Sequence, residues 1–194
     1  AKAAQKWQER EYAVFDRVDK IYYPSQIEVD EIHSQRPNLD VRAIPLYVLP
    51  VTESQAYVSS VRSDLLFVGG FNHPPNVDGI SWFVAEVLPL VEEQCPGIKL
   101  HIVGSNPNDV VMSLASDTVI VHGYLSDEAL NELYTQVRQA VVPLRYGAGV
   151  KGKVLEAIQK NVPLVTTTVG AEGIPAAETV MNIADTAVDF ATKI

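Results

Sequence analysis

Apolar and polar positions change rhythm near residue 64, and the change divides the chain. Residues 1–16 (A-K-A-A-Q-K-W-Q-E-R-E-Y-A-V-F-D) are strong helix formers with no breaker, which predicts a helix. Val18 to Tyr23 reads as a short strand closed by Pro24-Ser25, and residues 26–35 set Ile27 and Ile32 in a charged, helix-like stretch. Pro37-Asn38 breaks that stretch; Val41 to Leu49 is then extended, with Pro45 and Pro50 limiting the pairing it can offer. Helix, strand, helix, strand is too little for an independent core. Residues 1–50 therefore read as the closing elements of a domain whose beginning is missing, and the polar, Ser-rich residues 51–62 as a linker.

From Asp64 a regular alternation sets in and defines a second domain, 63–194. Leu65 to Val68 is a continuous apolar strand stopped by Gly69-Gly70. A helix over about 77–95 follows, with Val77, Ile80, Phe83, Val84, Val87, Leu88 and Val91 on one face and a kink expected at Pro89. Further strands are predicted at Ile98–Val103, Thr118–Val121, Ala140–Leu144, Leu164–Thr167 and Val180–Ala184. Ser126 caps a helix whose stripe is Leu130, Leu133, Tyr134 and Val137, and Asp185 is placed to cap a last one. About six buried strands alternating with helices predict an α/β fold, a Rossmann-like doubly wound parallel sheet preceded by the partial α/β segment. Ligands of such sheets sit beyond the carboxyl ends of the strands. Gly69-Gly70, Gly104, Gly123-Tyr124, the 145–153 turn and the loop Gly170 to Gly173 all fall on that edge.

Composition narrows the partner. The apolar fraction is 47%, and a net charge of −9 with a pI near 4.8 argues against nucleic acid as the main partner, since binding its phosphate backbone needs a basic face. Cys95 is the single cysteine, so a reducing, cytoplasmic setting is expected. No apolar run reaches the length of a membrane span, and the first residues do not form a signal peptide. His33, His73, His101 and His122 show no ligand spacing and there is no Asp-x-Asp, so neither a metal nor a cofactor is indicated.

Against that acidic background one basic cluster stands out. In V-V-P-L-R-Y-G-A-G-V-K-G-K-V-L-E-A (141–157), a strand runs into a glycine-rich turn and a helix opens with Lys151 and Lys153. Cations there oppose the helix dipole unless an anion is bound, when amides, dipole and lysines all favour it. Gly147, Gly149 and Gly152 spell G-x-G-x-x-G, but after the fourth strand rather than the first, and the next strand ends in Thr166-Thr167-Thr168 with no acid for a ribose. The turn fits a diphosphate better than a dinucleotide. Candidate phosphate-binding residues are Gly69, Gly70, Arg145, Gly147, Gly149, Val150, Lys151 and Lys153. Glu156, beside Lys153, is the candidate for ribose hydroxyls rather than a mere surface ion pair. Gly123 and Tyr124 are candidates for the base, Asn72 and Asn76 for the sugar.

The motifs F-V-G-G-F-N-H-P-P-N-V-D-G, H-G-Y-L-S-D, V-P-L-R-Y-G-A-G-V-K-G-K-V-L-E-A and V-P-L-V-T-T-T-V-G-A-E-G-I together resemble the C-terminal, donor-binding domain of retaining GT-B glycosyltransferases of the group 1, family 4 type. The resemblance implies a nucleotide-sugar donor (UDP-, GDP-, ADP- or TDP-linked), Glu156 on the ribose, and departure of the nucleoside diphosphate without metal. It also implies an N-terminal acceptor domain of the same longer chain, which would carry most catalytic residues, and allows peripheral membrane association of the longer enzyme. Without that domain the 194-residue chain is expected to bind donor weakly and transfer nothing. The family usually has two glutamates separated by seven residues, and the first falls here at Ala148. The rival readings are a catalytically degenerate nucleotide-sugar-binding or interaction module and, with a poorer motif match, a nucleotide-sugar epimerase.

Overall fold

The computed structural model describes residues 2–44 and 62–194, with side chains from residue 5 onward. The chain divides into two compact units, Ala1–Val48 and Leu49–Ile194. Residues 45–49 of the predicted extended stretch and 51–61 of the predicted linker lie outside the described residues.

In the first unit, α1 (Lys2–Phe15) precedes a parallel βαβ of β1 (Ile21–Tyr23), α2 (Gln26–Gln35) and β2 (Val41–Ala43), with Ile21 opposite Val41. Ser25 caps α2 by accepting from the Ile27 amide at 3.2 Å. Phe15, Ile21, Val29, Ile32 and Val41 form its small buried cluster.

The second unit is a six-stranded, all-parallel sheet: β3 (Ser63–Val68), β4 (Leu100–Val103), β5 (Val119–Gly123), β6 (Val137–Val142), β7 (Leu164–Thr166) and β8 (Asn182–Ile183), in the order β5-β4-β3-β6-β7-β8. The order runs outward in both directions from the β3–β6 pair, the doubly wound arrangement, and its switch point lies where those two strands part. Period-two alternation along β3 feeds two cores. Leu65 and Phe67 pack with Ile80, Phe83, Val87, Val91 and Phe190. Leu66 packs on the other face with Leu133, Tyr134, Val142, Val154 and Ala157.

Several boundaries differ from the sequence reading for identifiable reasons. The long helix begins at Pro74, because Pro74 and Pro75 suit a first turn that needs no donors there. It runs as α3 (Pro74–Trp82), a π-turn at Phe83–Val87 and α4 (Leu88–Gln94). The register change thus ends two residues before Pro89, whose missing N–H interrupts ordinary helical bonding. α5 spans Asp109–Met112. α6 (Asp127–Gln136) stops one residue before Val137, which opens β6 instead of ending the helical stripe. β6 in turn stops before Pro143. The loop expected after β7 starts as α8 (Thr168–Ala171) because Thr167 caps it, accepting from the Gly170 amide at 3.1 Å. α9 (Ala177–Val180) then shortens the last strand. The final helix, α10 (Ala187–Thr192), is capped by Thr186 rather than Asp185. Asp185 instead accepts from the Thr168 amide at 2.8 Å and from its hydroxyl at 2.6 Å.

Candidate functional site

The switch point brings two chain segments together. After β3 the chain turns through Gly69 and Gly70 into α3; after β6 it passes Pro143, Leu144 and Arg145 into the glycine turn and α7 (Gly152–Gln159). α3 approaches that exit closely, since a Cβ on Gly79 would stand 2.6 Å from the Pro143 carbonyl oxygen. Thr166 and Thr167 brace it from β7, their hydroxyls donating to the carbonyls of Val142 (2.9 Å) and Leu144. Thr166 and Thr167 of the Thr166-Thr167-Thr168 run are buried for this bracing, whereas Thr168 is exposed.

Lys153 is the centre of the arrangement. Its amine donates to Asn76 Oδ1 at 2.6 Å and stands 4.5 Å from the centre of the Phe67 ring. Gly69 makes room for it, because a Cβ there would lie 2.6 Å from Nζ and 2.9 Å from the Asn76 amide. Burial, with a smaller contribution from the charge of Lys151, lowers its pKa to about 7. Lys151 is the N-cap of α7; its side chain makes no capping bond, and no acid occupies the first turn. Its amine bonds to the Gly149 carbonyl and pairs with Glu172 Oε2 at 3.0 Å.

Arg145 meets Asp78 of α3 in a two-pronged ion pair, with Nε 2.8 Å from Oδ2. The motif stretches contain both Asp78 and Glu172, yet nothing in their spacing ties them to these cations. Glu156 is half-buried in α7, and burial is the main cause that raises its pKa. Lys160 and a hydrogen-bonding interaction with the Tyr134 hydroxyl act the other way, and Asp127 adds a smaller upward effect. Tyr134, only 2% exposed, is thus both a core residue and the neighbour of Glu156.

The remaining candidates separate. Asn76 is 5% exposed and engaged at both ends of its amide, its Nδ2 donating to the Gly70 carbonyl at 2.7 Å. It braces the site from beneath, unlike a side chain presented to a sugar. Asn72 is exposed in the turn after β3. Tyr124 is 74% exposed, following Gly123 at the end of β5. Gly147 and Gly149 have φ of 128° and 79°, so the turn relies on glycine at those positions. Val150 lies half-buried beside them. Two histidines also come together on β4 and β5, His101 Nδ1 facing His122 Nε2 at 2.8 Å, with Asp64 3.5 Å from the other nitrogen of His101. Burial, then the neighbouring His101, lowers the His122 pKa.

Known proteins are related to this chain in sequence or in fold. Residues 62–194 match the sequence profile of the family described as glycosyl transferases group 1. An uncharacterized 44.6 kDa protein in the cps region of Klebsiella pneumoniae is 34% identical over 117 residues, which is 57% of this chain and 30% of that protein. Among solved structures, S. aureus TarM in complex with fondaparinux, alpha-GlcNAc-glycerol and UDP aligns with 96% of this chain and 38% of its own, at a TM-score of 0.75 and 16% identity. The pneumococcal O-GlcNAc transferase GtfA, in complex with UDP and GlcNAc, aligns at a TM-score of 0.64 and 16% identity over 92% of this chain and 38% of that one. WaaG, a glycosyltransferase involved in lipopolysaccharide biosynthesis, aligns at 0.64 and 16% over 96% and 57%. The fold is therefore that of part of the GT-B glycosyltransferases, and the chain spans well under two thirds of each of these proteins.

Proposed function

The chain belongs to the group 1 glycosyl transferases, and from that premise we propose that its second unit is the donor-binding half of a retaining glycosyltransferase. It holds a nucleotide-sugar while the sugar passes to a glycan or cell-envelope acceptor. The observation that carries this reading is the meeting of Lys153, from the first turn of α7, with Gly69, from the turn after β3, and Asn76, from the first turn of α3. A cationic amine and the amino end of a helix converge there at the switch point of a parallel sheet, which suits a diphosphate. Glu156, one turn on from Gly152 in α7, takes the ribose hydroxyls as an ionised acceptor. When the sugar–phosphate bond breaks, the two electrons of that bond leave with the phosphate oxygen. Fixed cations and helix amides stabilise that growing charge. Residues 1–50 and 51–62 are read as the end of the acceptor domain and its linker, and the acceptor domain itself as the partner in a longer cytoplasmic protein, a reading that allows peripheral association with a membrane. Among the described residues no helix is long and apolar enough to cross a membrane.

Calorimetry with UDP-, GDP-, ADP- and TDP-linked sugars tests this reading. One of them should bind, and Lys153→Met should weaken it by at least about tenfold, a typical loss for a hydrogen bond to a charged group. Absence of binding across the panel overturns the proposal. A second reading, a binding module that has lost transfer, is favoured by Ala148 and by the pairing of two cations of the site with Asp78 and Glu172. In that case the longer protein binds a donor but gives no sugar transfer and no donor hydrolysis.

A further inference from the structure

We propose that Asn76 is a positioning residue that holds the Lys153 amine in place without neutralising it, leaving a donor diphosphate to become its anionic partner. This rests on the phosphate reading of the α7 turn given above. The orientation of the Asn76 amide follows from its neighbours. Nδ2 donates to the Gly70 carbonyl at 2.7 Å, so Oδ1 faces Nζ at 2.6 Å; the flipped amide would set oxygen against oxygen. One side chain thereby ties the turn after β3 to the first turn of α7. An aspartate could not do both, because an ionised carboxylate has no proton for the Gly70 carbonyl.

The surroundings explain why neutrality matters. The Phe67 ring from β3, Asn76 from α3 and Gly69 enclose the amine, and the charged group acting on it is Lys151. Lys151 is itself paired with Glu172, and Arg145 with Asp78. Among the described residues Lys153 takes part in no ion pair. With its pKa at about 7, the amine of the empty site loses its proton as pH rises, whereas a bound diphosphate would retain it. Donor binding above pH 7 then takes up a proton. Its affinity declines by up to about tenfold per pH unit until the pKa of the bound state is reached.

The test measures affinity from pH 6 to 9 for whichever nucleotide-sugar of the panel binds. A nucleotide-sugar is the right probe because its diphosphate is doubly esterified, while the terminal phosphate of a free nucleoside diphosphate titrates near 6. The wild type should bind more weakly as pH rises above about 7, with proton uptake visible in buffers of different ionisation enthalpy. Asn76→Asp gives the amine a carboxylate in advance, so affinity at pH 6.5 should fall about tenfold or more and the decline should move to higher pH. Asn76→Ala should weaken binding while keeping the decline near pH 7. If both variants bind with the wild-type affinity and profile, the positioning role is overturned. The same holds if both weaken binding equally with an unchanged profile, since that marks a merely structural side chain. Should Asn76→Asp fail to fold, Asn76→Ala decides alone: affinity equal to wild type overturns the role, and a loss relieved by a small amide such as acetamide supports it. Lys153→Met separates the premises, because wild-type affinity in that variant overturns the phosphate reading itself.

Discussion

Lys153 and Glu156 lie three residues apart in α7, and burial shifts both toward their neutral forms. The consequences for stability have opposite pH dependence. A lysine with a lowered folded pKa carries a cost that is full below about pH 7 and fades as pH rises toward the unfolded value near 10.4. Lys153→Met should therefore raise the thermal midpoint more at pH 6 than at pH 9, as differential scanning calorimetry can measure. A carboxyl with a raised folded pKa costs stability above that pKa and loses the cost as pH falls through it toward the unfolded value. Glu156→Gln should then stabilise the protein at pH 7.5 and weaken nucleotide-sugar binding at the same pH. A variant that is both less stable and equally tight in binding would contradict this assignment. Gly69 gives a third expectation, since Ala at this position places a methyl 2.6 Å from the Lys153 amine. Gly69→Ala should cost at least about tenfold in affinity, comparable to losing the charged hydrogen bond it displaces, by titration calorimetry.

At the scale of elements, the site depends on where α7 and α8 begin. Neither start is where hydrophobic periodicity alone would set it. α7 opens on Lys151 without a side-chain cap, so its first amides keep their capacity for an anion. α8 opens on Thr167, whose hydroxyl accepts from the Gly170 amide and donates to the Leu144 carbonyl, linking the end of β7 to the chain leaving β6. Thr167→Val keeps the shape and removes both bonds, which should cost about 1–3 kcal/mol in urea denaturation. On the proposed donor reading the loss should be accompanied by weaker donor binding, because the chain it braces leads into the glycine turn before α7.

For the whole molecule, the order β5-β4-β3-β6-β7-β8 accounts for the joining of residues 69–76 with residues 145–153. Adjacent parallel strands whose connections leave in opposite directions open a crevice at their carboxyl ends. The chain spans 38% of TarM and 57% of WaaG. On the donor-half reading proposed above, sugar transfer is expected from a longer protein, and the 194-residue chain alone should bind a nucleotide-sugar and transfer no sugar. A radiolabelled donor assay checks this, and transfer by the chain alone would contradict it.

Sequence by itself determined the alternation of strands and helices, the parallel sheet and the basic turn at 145–153. Each of these is written in local order: period-two and period-3.6 apolar patterns, glycine, proline and capping residues. It did not reveal that Asn76 turns inward beneath Lys153, that Asp78 and Glu172 pair with Arg145 and Lys151, or that Tyr134 adjoins Glu156. Those partners lie 21 to 77 residues apart along the chain. Side-chain burial and the pKa shifts that follow from it depend on which elements pack together, and only the tertiary structure decides that.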